Sequence, residues 1–150
     1  MARATSARHR LSPFVGISHR GTARYEGSMT DKRRALGQVA EAAAAEALTA
    51  AGLRVLERNV RFALGELDLV CCDGDTIVFV EVKCRQARWG DAPAAAISWQ
   101  KRRRLVRLAQ LYLKRRGFPD ARCRFDVVAV TEDGDGRLAV RHLSGAFDAD

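Results

Sequence analysis

Two short apolar runs carry charge where an ordinary buried strand would carry none. The first, Gly65-Glu66-Leu67-Asp68-Leu69-Val70, holds two acids on alternate residues, and the second, Ile77-Val78-Phe79-Val80-Glu81-Val82-Lys83-Cys84, an acid and a lysine. Such charges are costly unless they are paired or bind something. Alternate residues of a strand share a face, so Glu66 points with Asp68, away from Leu67 and Leu69, and Glu81 points with Lys83, away from Val78, Val80 and Val82. A two-residue hairpin loop at Asp73-Gly74 relates the two faces: Cys72 then opposes Asp75, Asp68 opposes Phe79 and Glu66 opposes Glu81. All four charges fall on one face, with Asp68 diagonal to Glu81, whereas a one-residue slip would separate them. Carboxylates this close repel one another. A hard oxygen-seeking cation such as Mg²⁺ relieves that repulsion, and it commonly takes only one or two protein carboxylates beside phosphate oxygens. Lys83 beside it would orient water near a phosphate and offset developing negative charge. The same pattern also fits a Glu81–Lys83 salt bridge on a solvated sheet face, since alternating apolar and charged strands are ordinary.

The elements that must position these residues are readable from caps and periodicity. Thr30 can cap a helix over about 31–51 whose interior is rich in alanine, and Gly52 can end it. Leu53 starts an extended segment towards Phe62, Gly65 to Cys72 forms a second strand, and Thr76 to Cys84 a third. After a loop around Trp89-Gly90-Asp91-Ala92-Pro93, Ser98 can cap a second helix that ends at Gly117-Phe118-Pro119. Cys123 to Thr131 and Leu138 to Leu143 are further strands, giving the order αβββαββ. Leu105, Leu108, Ala109 and Tyr112 form one apolar stripe of the second helix, which packs on the sheet. Its other faces carry Lys101, Arg102, Arg103, Arg104, Arg107, Lys114, Arg115 and Arg116 and no acid, a composition suited to phosphate.

Size and charge bound the rest. The chain of 150 residues has a formal net charge of +8 and a pI near 10.0, with 47% hydrophobic and 29% charged residues. That is one globular domain with a basic surface, and nucleic acid is the favoured partner. Lys32, Lys83, Lys101 and Lys114 are the only lysines, so arginine, whose planar fork suits phosphate, carries most of the charge. No run is long enough to span a membrane and no secretory signal is evident, so a cytoplasmic protein is expected. Residues 1–29 read as a disordered basic arm, with a transit peptide or a start of translation at Met29 as alternatives, and 30–150 as one domain. Cys71, Cys72, Cys84 and Cys123 lack zinc-ligand spacing and read as small core residues. His9, His19 and His142 have no spacing for a metal or a triad.

The ordered motifs resemble a known family. Gly65 to Val70, Val78 to Arg85, Gly37 to Glu41, Asn59-Val60-Arg61, Trp89-Gly90, Lys101, Tyr112-Leu113, Arg124 to Val128 and His142 to Phe147 together resemble the YraN-like uncharacterised protein family. That family lies within the PD-(D/E)xK nuclease superfamily, which includes archaeal Holliday junction resolvases. The resemblance implies an α/β, restriction-endonuclease-like αβββαβ core with a mixed central sheet flanked by helices. It implies Asp68 and Glu81 as metal ligands for Mg²⁺ or Mn²⁺, Lys83 as the catalytic lysine and Glu41 as a helix-borne catalytic acid. Glu66 is expected to support the ligands, and Asp126 either does the same or is an ordinary strand-end acid. The sequence has Glu-Leu rather than proline before Asp68, a departure common in divergent members.

Two functions follow as expectations. One is a metal-dependent endonuclease acting on DNA, branched or flap-like by analogy with the resolvases, with Lys101, Arg102, Arg103, Arg104 and Arg107 on the nucleic acid. The other is a non-catalytic DNA-binding module in recombination, repair or DNA uptake that uses the same basic helix. A protein partner with an acidic surface is a third reading, Trp89 is either a stacking residue or a packing anchor, and a homodimer stays open.

Overall fold

The computed structural model describes residues 15–17, 28–86 and 97–149. Its elements are β1 (Val15–Ile17), α1 (Met29–Ala50), β2 (Arg54–Phe62), β3 (Gly65–Asp73), β4 (Thr76–Gln86), α2 (Trp99–Arg116), β5 (Cys123–Glu132) and β6 (Leu138–Phe147). They build one six-stranded sheet in the order β1-β6-β5-β4-β3-β2. β4 and β5 are parallel neighbours, as expected of strands joined by a helix, and the other pairings are antiparallel. This is the mixed α/β, restriction-endonuclease-like arrangement. β1 lies within the stretch expected to be an arm; residues 1–14 and 18–27, like Trp89 and its loop, lie outside the described residues.

Each helix covers one face of the sheet. Ala40, Ala43, Ala44, Ala45 and Leu48 of α1 bury against Leu69, Cys71, Val78, Val80, Val128 and Val130. The small alanine side chains let the helix lie close to the strands. Leu105, Leu108, Ala109, Tyr112 and Leu113 of α2 bury against Val70, Phe79, Phe125 and Val127, extending the expected stripe by Leu113. Phe79 packs edge-on to Tyr112 and stacks on Phe125, which stacks in turn on Phe147. α2 begins and ends as its sequence dictates: Ser98 Oγ accepts from the Lys101 amide, and Gly117 takes the left-handed conformation. α1 is capped by Ser28 rather than Thr30, two residues earlier than the expected cap, with Ser28 Oγ accepting from the Asp31 amide.

Two expectations are corrected at the central hairpin. Its turn is Gly74-Asp75, not Asp73-Gly74, because Asp73 pairs with Thr76 and Leu69 with Val80. The ladder thus slides by two residues, which preserves the face of each side chain within it, from Leu69 to Asp73 and from Thr76 to Val80. Leu67 and Leu69, expected on one face, lie in opposite cores, Leu67 with α2 and Leu69 with α1. The alternation breaks at the residue between them. The β2–β3 ladder pairs Arg58 with Leu69 and Val60 with Leu67 but skips Asn59 and Asp68, and Asn59 has a positive φ of 51°. The cysteines are also less uniform than expected: Cys71 is buried and Cys123 exposed. Burial pushes the Cys71 thiol up to about 11, so it is an inert core group.

Asp126 is not a solvated strand-end acid. It is 1% exposed and accepts from Arg124 Nε at 2.8 Å, Arg124 Nη2 at 3.1 Å and the Gly145 amide at 2.9 Å, with His142 Nε2 at 2.8 Å. Arg124 also reaches Asp73. Burial alone would raise the Asp126 pKa, but the bonds from His142, Arg124 and Gly145 outweigh it and hold the carboxyl below its usual value. The network pins the irregular pairing of β5 with β6 between Phe125 and Val127. Because the folded pKa is depressed, its contribution is present above pH 3.8 and is lost as pH falls through the folded value. Asp126→Ala should cost about 3–5 kcal/mol in urea denaturation at pH 7, and the difference from wild type should shrink as the pH drops below about 4.

Candidate active site

The break at Asp68 is what assembles the site. There the β3–β4 ladder has ended, and the Asp68 side chain takes over its hydrogen bonding: Oδ2 accepts from the Val82 amide of β4 at 2.8 Å. Glu41 reaches the same place from α1 and Glu66 from β3. One carboxylate oxygen from each of Glu41, Glu66 and Asp68 lies within 4.8 Å of the others. Glu81, on the strand opposite, is 6% exposed and bears on Asp68 electrostatically.

These acids raise one another's cost. Burial first, then the Glu81 charge, push the Asp68 pKa up to about 7; the Val82 hydrogen bond opposes this, Glu41 adds to it, and Lys101 opposes it. Asp68 is therefore half protonated near neutrality, whereas an isolated aspartate would be fully ionised. Protein cations offset part of the remaining charge. Glu66 Oε2 accepts from Arg61 Nε at 3.0 Å, and Glu81 Oε1 is ion-paired with Lys101 Nζ from the first turn of α2. Lys83 follows Glu81 by two residues on the same strand. Burial, then the Arg85 and Lys101 charges, lower its pKa against the pull of Glu81, so it exchanges a proton more readily than a surface lysine does.

The structure thus brings Asp68, Glu41 and Glu66 into one cluster, with Glu81 bearing on Asp68 and Lys83 bearing on Glu81. Glu66, expected only to support the ligands, has an oxygen in the cluster itself; Glu81, expected as a ligand, is engaged by Lys101. Asp126 is elsewhere, held by Arg124 and His142, a use of His142 that its sequence spacing did not reveal. The cluster is all hard oxygen, its acids repel one another, and burial first and that repulsion second favour the neutral form of Asp68, so the residues fit a divalent cation of the Mg²⁺ class.

The basic residues of α2 divide into two groups. Lys101 pairs with Glu81, while Arg102 donates to the Ile97 carbonyl at 3.1 Å and lies over the Phe147 ring, so both serve the fold as well as the surface. Arg103, Arg104 and Arg107 instead line an open cavity of about 300 Å³ with Leu64, Trp99 and Gln100. Trp99 was missed in the sequence. Its signal was an aromatic directly after the capping Ser98 and one helical turn before Arg103, whose guanidinium lies 4.6 Å from the indole centroid.

The comparisons with known proteins agree on one family. The model described as "Uncharacterised protein family UPF0102" matches residues 40–130. A UPF0102 protein of Symbiobacterium thermophilum is 52% identical over 116 residues, which covers 77% of this chain and 98% of the relative. The chain belongs to the UPF0102 family. Another UPF0102 protein, from Moorella thermoacetica, is 48% identical over 120 residues, covering 79% of this chain and all of the relative; one from Pelotomaculum thermopropionicum is 45% identical over the same length. The stretch matched by the UPF0102 model contains Glu41, Glu66, Asp68, Glu81, Lys83, the basic turn of α2 and Asp126. Among the described residues, no helix is long and apolar enough to cross a membrane.

The raised pKa of Asp68 has a measurable sign. Ionising it in the fold is unfavourable, so its contribution to stability is full below pH 3.8 and is lost as pH rises through about 7. Asp68→Asn, which keeps an acceptor for the Val82 amide, should raise the metal-free Tm at pH 8 and not at pH 4. At 1.4 kcal/mol per pKa unit the gain is capped at about 4 kcal/mol. Millimolar Mg²⁺ should raise the wild-type Tm at pH 8 and leave that of Asp68→Asn unmoved.

Proposed function

We infer that this UPF0102 protein is a metal-dependent endonuclease that hydrolyses phosphodiester bonds of DNA, with branched or flap DNA as its class of substrate. The observation that carries the reading is the convergence of Glu41, Glu66 and Asp68 on one point, with Glu81 bearing on Asp68, Lys83 bearing on Glu81, and an acid-free basic helix supplying Lys101 to Glu81. Carboxylates that repel one another, next to arginines placed for phosphate, suit a cation shared between protein and phosphate oxygens.

In this reading Asp68, with Glu41 and Glu66, would hold the cation, and Glu81, paired here with Lys101, would be a further ligand. Mg²⁺ or Mn²⁺ bound there would supply a Lewis acid that polarises the phosphate and makes water more acidic. The Val82 amide fixes one Asp68 oxygen, so the carboxylate needs no reorganisation when substrate arrives. Lys83, with its lowered pKa, orients the attacking water and stabilises charge that develops on the phosphate oxygens. Arg103, Arg104 and Arg107 take neighbouring phosphates, which position the strand without reading its sequence.

A second reading is a DNA-binding module that does not cleave. The Lys101–Glu81 ion pair favours it, because a lysine there gives Glu81 a partner without any metal.

Cleavage of single-stranded, duplex, flap and four-way DNA with Mg²⁺ or Mn²⁺ tests both. On the first reading wild type cleaves at least one substrate, and Asp68→Asn or Lys83→Ala lowers the rate by about 100-fold or more while binding changes little. If both variants keep the full metal-dependent rate, the site assignment fails. Binding with no cleavage of any substrate by pure wild type leaves the second reading. Under either reading, the double charge reversal Arg103→Glu/Arg107→Glu should weaken binding to every sequence and flatten its salt dependence, as measured by fluorescence anisotropy between about 50 and 200 mM salt.

A further inference from the structure

Phosphate contacts account for the arginines of the α2 cavity but not for its other walls. Trp99 is 65% exposed, an unusual position for an indole that stabilises no core, and Leu64 beside it is 40% exposed. Together they give an apolar, partly aromatic slot among three arginines, with no acid lining it. The Arg103 guanidinium lies over the indole, 4.6 Å from its centroid, so the ring's π-surface is accessible to a partner at the cavity. Phosphate alone makes no use of such a surface, whereas a nucleobase does, because every base has a face that stacks on an aromatic side chain.

The cavity also lies beside Gly65, the residue that precedes Glu66 of the carboxylate cluster. The Arg104 stem and Leu108 lie 3.5 Å from where a Cβ on Gly65 would sit, and Gly65 directly precedes Glu66. One turn of α2 earlier, Lys101 reaches Glu81. The same helix therefore presents its basic slot at one side of the acidic cluster, through the turn that joins β2 to β3.

We propose that the cavity bounded by Trp99, Leu64, Arg103, Arg104 and Arg107 is a subsite for one unstacked nucleobase of DNA and its flanking phosphates. The substrate is then a duplex that carries an unpaired tail beside the point of cleavage. The proposal rests on the nucleic-acid reading above and narrows its substrate. A base inside a duplex is stacked on both faces and cannot enter the slot, so fully paired DNA binds through the arginines alone. An unpaired base gains the indole as well, and stacking of one base supports a preference of about tenfold.

Anisotropy titrations of the full chain in EDTA, which exclude cleavage, test this with three labelled probes. They are a blunt duplex, the same duplex with a five-nucleotide thymidine tail, and that duplex with a tail of abasic sugar-phosphate. Wild type should bind the thymidine-tailed probe about tenfold more tightly than the abasic-tailed one. Trp99→Ala should bring that ratio near one, Trp99→Phe should keep most of it, and Arg104→Ala should weaken both tailed probes together. Circular dichroism of each variant checks that the exposed substitution leaves the fold intact. An equal affinity of wild type for the two tails, or an undiminished ratio in Trp99→Ala, overturns the subsite while leaving the nucleic-acid reading in place. Failure to bind any probe overturns both. A Trp99-dependent ratio in a protein that cleaves nothing sustains the subsite and removes the nuclease.

Discussion

Four carboxylates, Glu41, Glu66, Asp68 and Glu81, are crowded at one end of the sheet, and the fold must hold them there against their mutual repulsion. Much of the local structure serves that end. The Val82 amide donates to Asp68, Arg61 takes Glu66, Lys101 takes Glu81, and Asp68 itself carries a proton about half the time near neutral pH. Each device is partial: a hydrogen bond, an exposed pair, a long side chain and a shared proton. Residual repulsion of this kind raises the cost of ionising these groups in the fold, and a cation bound there would relieve it.

α2 links the acidic cluster to its surroundings. Its apolar stripe anchors it on Val70, Phe79 and Phe125, its first turn supplies Lys101 to Glu81, and its outer face carries Arg103, Arg104 and Arg107. One rigid element thus fixes the distance between the carboxylates and the arginines, which a loop could not do as well. Asp126 makes a contrast within the same chain. It is more deeply buried than Asp68, yet its pKa is depressed, because Arg124, His142 and Gly145 saturate its oxygens while Asp68 faces other acids. Burial depth alone does not decide which way a carboxylate's pKa moves; the sign of its neighbours does.

The strand and helix order was legible because it rests on local signals: the Ser98 cap, Gly117, the Leu105 to Tyr112 stripe and the β3–β4 alternation. The parity of the β3–β4 ladder survived a turn misplaced by one residue because the ladder moved by two, but that ladder ends at Leu69 and Val80 and does not reach Asp68. What depends on contacts between distant segments was not legible. Leu67 lies opposite its expected core because Asn59, on another strand, interrupts the pairing beside Asp68. The partners of Asp126 come from β5 and β6, and the engagement of Glu81 by Lys101 spans twenty residues of chain. The setting of Trp99 depends on Leu64 in the β2–β3 turn, a distant segment that lines the same cavity.

β2 closes one side of the sheet, and its outer backbone has no neighbour among the described strands. Such an edge invites a strand from another molecule. Here the strand carries Arg54, Glu57, Arg58 and Arg61, shifts register around Leu56, and turns through a left-handed residue at Asn59. A second molecule laid against it would find like charges facing and its hydrogen bonds out of phase every few residues. The irregularity that frees Asp68 from the ladder therefore has another effect at the rim: it leaves β2 a poor template for pairing with a strand of another molecule.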